Sequence, residues 1–254
     1  MTQRGNGKAP QESLGAKSAR KKERMIAVVM AGGLGSRMRP LTYTIPKPLL
    51  PIGERPILEI ILSQMRRAGF SKVFVTTGYQ AELVKSYFGN GSRFGIQLEY
   101  THESEMLGTA GALFLLKDRI REPFLLMNCD ILTRLDLRKL YDHHIENSAV
   151  MTVGATCYEV QVPYGVLEVR QGVVRSIAEK PRTSHLIVAG IYVMNPEVLE
   201  IEKSGKTDIP EVIEILIAQG KKVTVCEIKE QWIDVGKLSD YERANNEFKL
   251  WDDL

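Results

Sequence analysis

The stretch Met25-Ile-Ala-Val-Val-Met30, running on into Ala31-Gly-Gly-Leu-Gly-Ser-Arg37-Met-Arg39-Pro-Leu-Thr42 and then Pro46-Lys47-Pro48, decides how this chain is read. The apolar run has no polar alternation, as in a strand covered on both faces. The glycines at 32, 33 and 35 let the backbone come close to a ligand, with N–H groups that no Cβ shields. Arg37, Arg39 and Lys47 follow closely, and a glycine turn lined by cations suits a polyphosphate. No Gly-Lys-Ser/Thr closes the loop, so it is not a P-loop. Met38 stands where the third glycine of a dinucleotide fingerprint belongs.

Downstream, Pro56 and Gly69 bracket a helix over 56–69. A strand over 72–78 precedes a helix over 81–88. A strand over 96–100 precedes a helix over 110–120, and an apolar strand over 124–127 precedes a helix over 137–146. Strand–helix units in series predict an α/β fold, a Rossmann-like, doubly wound, mostly parallel sheet with helices on both faces. After 150 the pattern changes to a strand over 150–157 and then an added β-hairpin, 165–169 and 173–178 joined at Gln171-Gly172. A strand over 185–194, a helix over 210–219, a strand over 223–228 and a helix over 239–250 complete the chain, with Ser239-x-x-Glu242 read as the last helix's capping box. No repeat or linker interrupts 25–254, which is read as one domain.

The composition of the 254 residues, 44% hydrophobic and 26% charged, is that of an ordinary soluble globular protein. The net charge of +3 conceals an asymmetry: residues 1–24 hold seven Lys/Arg and two Glu, which leaves the rest at −2. That segment has almost no bulky apolar residue and is read as a disordered, solvated basic tail, not as a nucleic-acid or membrane contact. It lacks the apolar core of a signal peptide, and no later run is long enough to span a bilayer. Cys129, Cys157 and Cys226 are odd in number and have no metal-ligand spacing, which fits a reducing cytoplasm.

Asp130 ends the fourth strand, where an open α/β sheet keeps its ligand crevice. Asp136 stands closer to the next helix start and takes the capping role, which leaves Asp130 to ligate Mg²⁺. Asp234, in Gln231-Trp-Ile-Asp-Val-Gly236, is the second candidate ligand. His102, His143, His144 and His185 follow no catalytic pattern.

The glycine stretch with its Pro-Lys-Pro resembles the signature of the sugar-1-phosphate nucleotidyltransferases, also called nucleotide-sugar pyrophosphorylases. The resemblance extends over roughly 25–250, with five motifs in family order. It implies a catalytic domain over 25–254 that transfers a nucleotidyl group from a nucleoside triphosphate to a sugar 1-phosphate, releasing pyrophosphate. On this reading Ala31, Gly32, Gly33, Gly35 and Ser36 cradle the nucleotide, Arg37 and Lys47 meet its phosphates, and Asp130 with Asp234 holds Mg²⁺. Glu179-Lys180-Pro181 matches the family's Glu-Lys-Pro, which implies that Lys180 holds the sugar phosphate and Glu179 the sugar hydroxyls. Tyr164 and Gly165, in Gln161-Val-Pro-Tyr-Gly-Val166, and Val188 and Gly190, in Val188-Ala-Gly-Ile-Tyr-Val193, fall on the sugar side. Val188 replaces a usual Asn, Cys129 a usual Gly, and Lys237-Leu a common Thr-Pro.

Glu103-Ser-Glu-Met-Leu-Gly-Thr-Ala-Gly111 matches the family's base and ribose loop and brings Glu105, Leu107, Gly108 and Thr109 to the nucleotide. Relatives that read uracil have Gln at the position of Met106, whereas Glu105 aligns with an acidic residue of guanylyltransferases. A carboxylate offers acceptors to guanine's N1–H and N2–H₂. The resemblance is therefore closest to guanylyltransferases acting on mannose 1-phosphate or glucosamine 1-phosphate, with GTP favoured over UTP or dTTP. The substrates are the partners expected, with room for a homo-oligomer. A thymidylyl- or uridylyltransferase, a catalytically inactive sugar-nucleotide sensor, and a nicotinamide-dependent oxidoreductase are the rival readings.

Overall fold

A computed structural model describes residues 25–254 apart from 104, 202–204 and 252–253; the basic segment 1–24 lies outside the described residues. The first strand, β1 (Met25–Ala31), is followed by short 3-10 turns and a minimal hairpin of β2 (Pro51–Ile52) and β3 (Arg55–Pro56). Then come α1 (Ile57–Arg67), β4 (Phe70–Thr77), α2 (Ala81–Phe88), β5 (Gln97–His102), α3 (Gly108–Phe114), β6 (Phe124–Asn128), β7 (Ile131–Thr133) and α4 (Leu137–Asn147). The second half supplies β8 (Met151–Gln161), β9 (Val166–Arg170), β10 (Val173–Ala178), β11 (Arg182–Met194), α5 (Ile209–Ala218), β12 (Val223–Ile228), β13 (Trp232–Asp234) and α6 (Leu238–Asn246).

Seven strands form one sheet in the order β12-β8-β11-β6-β1-β4-β5. Only β11 runs against its neighbours β6 and β8; the other pairings are parallel. The expected mostly parallel sheet is present, and both halves of the chain contribute strands to it. Its first strand is buried on both sides. Ala27 and Val29 pack with Ile57, Ile61 and Leu62 of α1 and Leu140 of α4, while Val28 packs with Ala110 and Leu113 of α3 and Val212 of α5. Helices thus cover both faces, and each fully buried Val, Leu or Ile contributes about 2 kcal/mol of transfer free energy.

The structure differs from the expected elements in four places. The helix expected over 110–120 ends at Phe114. Beyond it the chain continues in tight turns that carry Arg119 to Glu99 and Thr101 of β5, at 2.5 and 2.8 Å. The last α-helix stops at Asn246 and gives way to a 3-10 turn, Phe248–Leu250. Ser239 does not cap it: α6 begins one residue earlier, and Lys237 occupies the cap position without a side-chain bond. The reciprocal capping box belongs instead to α5, where the Asp208 N–H donates to Glu211 Oε1 at 3.1 Å. Finally, β8 and β11 are longer than expected because they go on pairing with each other beyond the sheet, as far as Gln161 opposite Arg182. The β9–β10 hairpin caps that extension, and its Gln171-Gly172 turn has φ of +50° and +78° at the two central residues, the backbone of a type I′ hairpin turn.

Candidate active site

Chain order reverses at β1, with β4 on one side and β6 on the other, and a cleft of about 840 Å³ opens at the carboxyl ends of these strands. This is the switch point at which open α/β sheets bind ligands. The glycine loop leaves β1 directly into it. A Cβ on Gly32 would fall 2.0 Å from Glu103 Oε1 and would have to displace that carboxylate, and Gly35 has a φ of +61°, which side chains rarely adopt. Gly33 has open space where its Cβ would stand. Thr42 Oγ1 donates to Gly35 O at 2.8 Å and holds the loop from behind.

Lys47 is 8% exposed and donates from Nζ to Asp130 Oδ2 at 2.5 Å. The pairing of β13 with β7 sets Asp234 opposite Ile131, one residue past Asp130, and the Val235 N–H donates to Asp130 O at 2.9 Å. Two carboxylates from distant parts of the chain thus meet at the cleft floor. Burial, then the charge of Asp130, pushes the Asp234 carboxyl above its ordinary value, while Lys47 and Arg37 pull it back. Asp130 Oδ1 and Asp234 Oδ1 are both buried, and neither has a hydrogen-bond partner among the described residues. An unpartnered buried carboxylate oxygen is costly, and two side by side fit a hard cation. Mg²⁺ takes one or two carboxylates and completes its shell with phosphate oxygens and water, so this donor set suits it. No group of three His, Cys, Asp or Glu among the described residues forms a fuller cage.

Of the residues expected at the nucleotide, Gly32, Gly33, Gly35, Ser36, Arg37, Lys47, Glu105, Gly108 and Thr109 line the cleft, while Ala31 and Leu107 do not. Gly108 (φ +83°) abuts Asp208, and Thr109 is drawn to the same carboxylate, its N–H donating at 2.8 Å and its hydroxyl at 3.1 Å. Cys129 also lines the cleft; burial, with the Asp130 charge second, pushes its thiol up to about 12. All three cysteines are free thiols.

The sequence reading passed over Tyr79, His102, Glu103, Asn128, Lys206 and Asp208, which also line the cleft. Glu103 takes hydrogen bonds from the Leu107 backbone and the Thr76 side chain, while burial, the larger influence, raises its carboxyl. The Asp208-Ile-Pro-Glu211 cap signature could have flagged that loop from sequence. The sugar-side residues divide. Gly190 (φ +71°) packs against Asn128 at the cleft floor. Tyr164, Gly165, Glu179, Lys180 and Val188 are exposed on the β8–β11 extension and do not line the cleft. Lys180 holds a φ of +46°, a left-handed backbone that is uncommon outside glycine.

Comparison with known proteins agrees with this architecture. The sequence profile of the family described as Nucleotidyl transferase matches residues 26–249. The chain is similar to a UTP–glucose-1-phosphate uridylyltransferase from Synechocystis, 32% identical over 87% of this chain and 62% of that one. It is also similar to the catalytic subunit beta of a mannose-1-phosphate guanylyltransferase from Drosophila melanogaster, 32% identical over 85% of this chain and 60% of that one. It therefore spans about six-tenths of the length of these relatives. Among solved structures it resembles a candidate glucose-1-phosphate thymidylyltransferase from Bacillus anthracis in complex with a sucrose, with a TM-score of 0.74 and 26% identity over 91% of this chain and 96% of that one. The chain belongs to the nucleotidyl transferase family.

Proposed function

We propose that residues 25–254 form one catalytic unit that transfers a nucleotidyl group from a nucleoside triphosphate to a sugar 1-phosphate. The observation that carries this reading is the pair of buried carboxylate oxygens without partners, Asp130 Oδ1 and Asp234 Oδ1, set beside Arg37 and an open glycine loop at the switch point. In the reaction an oxygen of the sugar 1-phosphate attacks the α-phosphorus of the triphosphate, and the bond to the pyrophosphate leaving group breaks. The nucleophile is already an anion, so no general base is needed, in keeping with a cleft whose one lining histidine is His102. Catalysis then consists of holding two anions in line and meeting charge as it develops.

Arg37 takes the charge of the triphosphate and of the leaving pyrophosphate. Lys47 holds Asp130 in position and presents its remaining donors to the phosphates. Asp130 and Asp234 would hold Mg²⁺, which screens the repulsion between the two phosphorylated substrates and polarises the phosphoryl oxygens. GTP is the donor this reading favours. The Glu103 carboxylate already accepts from Leu107 and Thr76, whereas Glu105 is exposed at the cleft wall and can offer both oxygens to guanine. The three free thiols support a cytoplasmic setting. No helix among the described residues is long and apolar enough to cross a membrane.

The test is a panel of GTP, UTP, dTTP, CTP and ATP crossed with mannose, glucosamine and glucose 1-phosphates, scored by pyrophosphate release with Mg²⁺ and with EDTA. Release that requires Mg²⁺ and is fastest with GTP is the expected result. Fastest release with UTP or dTTP makes it a uridylyl- or thymidylyltransferase. Tight nucleotide-sugar binding without release makes it a sensor.

A further inference from the structure

Of the three cations that follow the glycines, Arg37 and Lys47 line the cleft and Arg39 does not. The Arg39 guanidinium stands instead over the ring of Tyr43, 4.9 Å from its centre. The Tyr43 carbonyl accepts from the Tyr79 hydroxyl at 3.1 Å and from Gln80 Nε2 at 3.3 Å, and Gln80 Nε2 also donates to the Tyr79 hydroxyl at 3.1 Å. Gln80 holds a left-handed φ of +53° at the cap position of α2 and makes no capping bond there. That backbone is costly outside glycine, and the side chain it carries serves Tyr79 rather than the helix. Gly78, just before, packs so closely on the glycine loop that a Cβ would fall 2.6 Å from Gly32 O.

These contacts converge on one ring. Tyr79 lines the cleft at 36% exposure and is the only Phe, Tyr or Trp to do so among the described residues. Its hydroxyl is engaged as donor to Tyr43 and as acceptor from Gln80, so what remains for a ligand is the ring itself. Sugars and phosphates are met by donors and charges; a π-face suits another flat ring. The sheet also puts Tyr79 away from the carboxylates. Asp130 follows β6, whereas Tyr79 follows β4, two strands and roughly 10 Å across, with the glycine loop of β1 between them. On its far side Thr77 pairs with His102, and the Glu103 N–H donates to Thr77 O at 2.8 Å, so Tyr79 leaves the sheet beside the loop of Glu105 and Met106. We propose that Tyr79 is the platform on which the nucleobase of the triphosphate stacks, with Gln80, Tyr43 and Arg39 as positioning residues that hold its ring. This rests on the nucleotidyl-transfer reading above. Every base has a π-face, so Tyr79 contributes affinity for all of them and leaves the choice among them to hydrogen-bonding groups.

Calorimetric titration with the Mg²⁺ complexes of GTP, UTP, ATP and inorganic tripolyphosphate separates base from phosphate. Tyr79→Leu should weaken all three nucleotides by a similar factor, about tenfold or more, and leave tripolyphosphate binding unchanged. Tyr79→Phe, which keeps the ring, should stay within about threefold of wild type by the same stacking argument. Gln80→Leu should weaken GTP in the wild-type background and add nothing in Tyr79→Leu, because it acts only through the ring. In turnover, KM for GTP should rise in Tyr79→Leu while KM for the sugar 1-phosphate holds. Unchanged GTP affinity in Tyr79→Leu, an equal loss for tripolyphosphate, or a Tyr79→Phe protein as weak as Tyr79→Leu would each overturn the platform. The second of these would mean that Tyr79 only braces the glycine loop. A wild type that binds GTP and releases no pyrophosphate with any sugar 1-phosphate overturns the transfer reading instead, and the titrations still decide the platform. A wild type that binds no nucleoside triphosphate overturns both.

Discussion

Lys47 and Asp130 form an ion pair of 2.5 Å across the cleft floor, with side chains 9 and 18% exposed. The pair ties the loop after β1 to the end of β6, so the proposed metal ligand and the glycine loop are held as one unit. Removing one member strands the other, and breaking such a buried pair costs about 3 kcal/mol or more. Asp130→Asn should therefore lose both turnover and several degrees of melting temperature. The double variant Lys47→Met/Asp130→Asn should recover part of the stability and none of the activity. Thermal melts of the three proteins beside pyrophosphate release provide the check; a double variant no more stable than Asp130→Asn would mean that the pair contributes nothing to folding.

Asp234 should behave in the opposite way. Burial and the neighbouring Asp130 charge disfavour its carboxylate, so the folded protein is strained by the charge that the proposed metal site requires. Asp234→Asn should abolish most turnover yet melt higher than wild type. Mg²⁺ should raise the melting temperature of the wild type, since a ligand that binds only the folded state stabilises it, and should leave that of the variant unchanged. Equal Mg²⁺ stabilisation of both proteins would remove Asp234 from the metal site.

Arg37 lies beside Asp234 and faces the loop that would cradle the triphosphate. Arg37→Ala should slow turnover by about 10³-fold, the scale seen for arginines that meet phosphoryl-transfer charge, with little change in melting temperature because the side chain is exposed. Steady-state kinetics beside a melt separate the two effects.

These sites were unequally legible in the sequence. The glycine loop and the strand before it could be read because a positive φ and a doubly buried strand leave plain chemical marks at Gly35 and at Ala27 to Val29. The sheet could be read for the same reason. The meeting of Asp130 with Asp234 depends on the three-residue pairing of β7 with β13, which is too short to leave a periodic signal. The β8–β11 extension was hidden because Tyr158, Val160 and Leu186 look in sequence like the side chains of a buried strand, though each is exposed. Ser239 had the residue type of a cap without the position, since the turn of β13 into α6 starts the helix one residue sooner.

His144 offers a test that is independent of the active site. It is buried, with Nδ1 2.9 Å from Thr152 Oγ1 and Nε2 3.1 Å from Asn195 Oδ1. Burial, the largest influence, lowers its proton affinity below the ordinary histidine range, as does His143, while Asn195 works against them. A histidine depressed in the folded state contributes stability above its unfolded value, about 6.5, and that contribution is lost as the pH falls toward the folded value. Melting temperature should therefore drop from pH 7 to pH 5, and His144→Gln should flatten that slope. Parallel slopes for the two proteins would show that other groups govern the acid limb.

On the proposed reading, the choice of base turns on two carboxylates only two residues apart. Glu103 is held by the Leu107 backbone and Thr76, and its Oε1 fills the space above Gly32, which on this reading makes it a support of the loop. Glu105 is exposed on the cleft wall beside Met106, whose thioether cannot pair with the donor–acceptor edge of uracil or thymine. A site built to hydrogen-bond a group can reject an analogue lacking it by about 10⁴-fold. The wild type should therefore favour GTP in kcat/KM over UTP, dTTP, CTP and ATP. Glu105→Gln, which replaces one acceptor with a donor, should reduce that preference by at least tenfold while leaving the melting temperature unchanged. Glu103→Gln should raise KM for every triphosphate alike, because it disturbs the glycine loop and not the base contact. If Glu103→Gln were to change base selectivity while Glu105→Gln left it intact, the two roles would have to be exchanged.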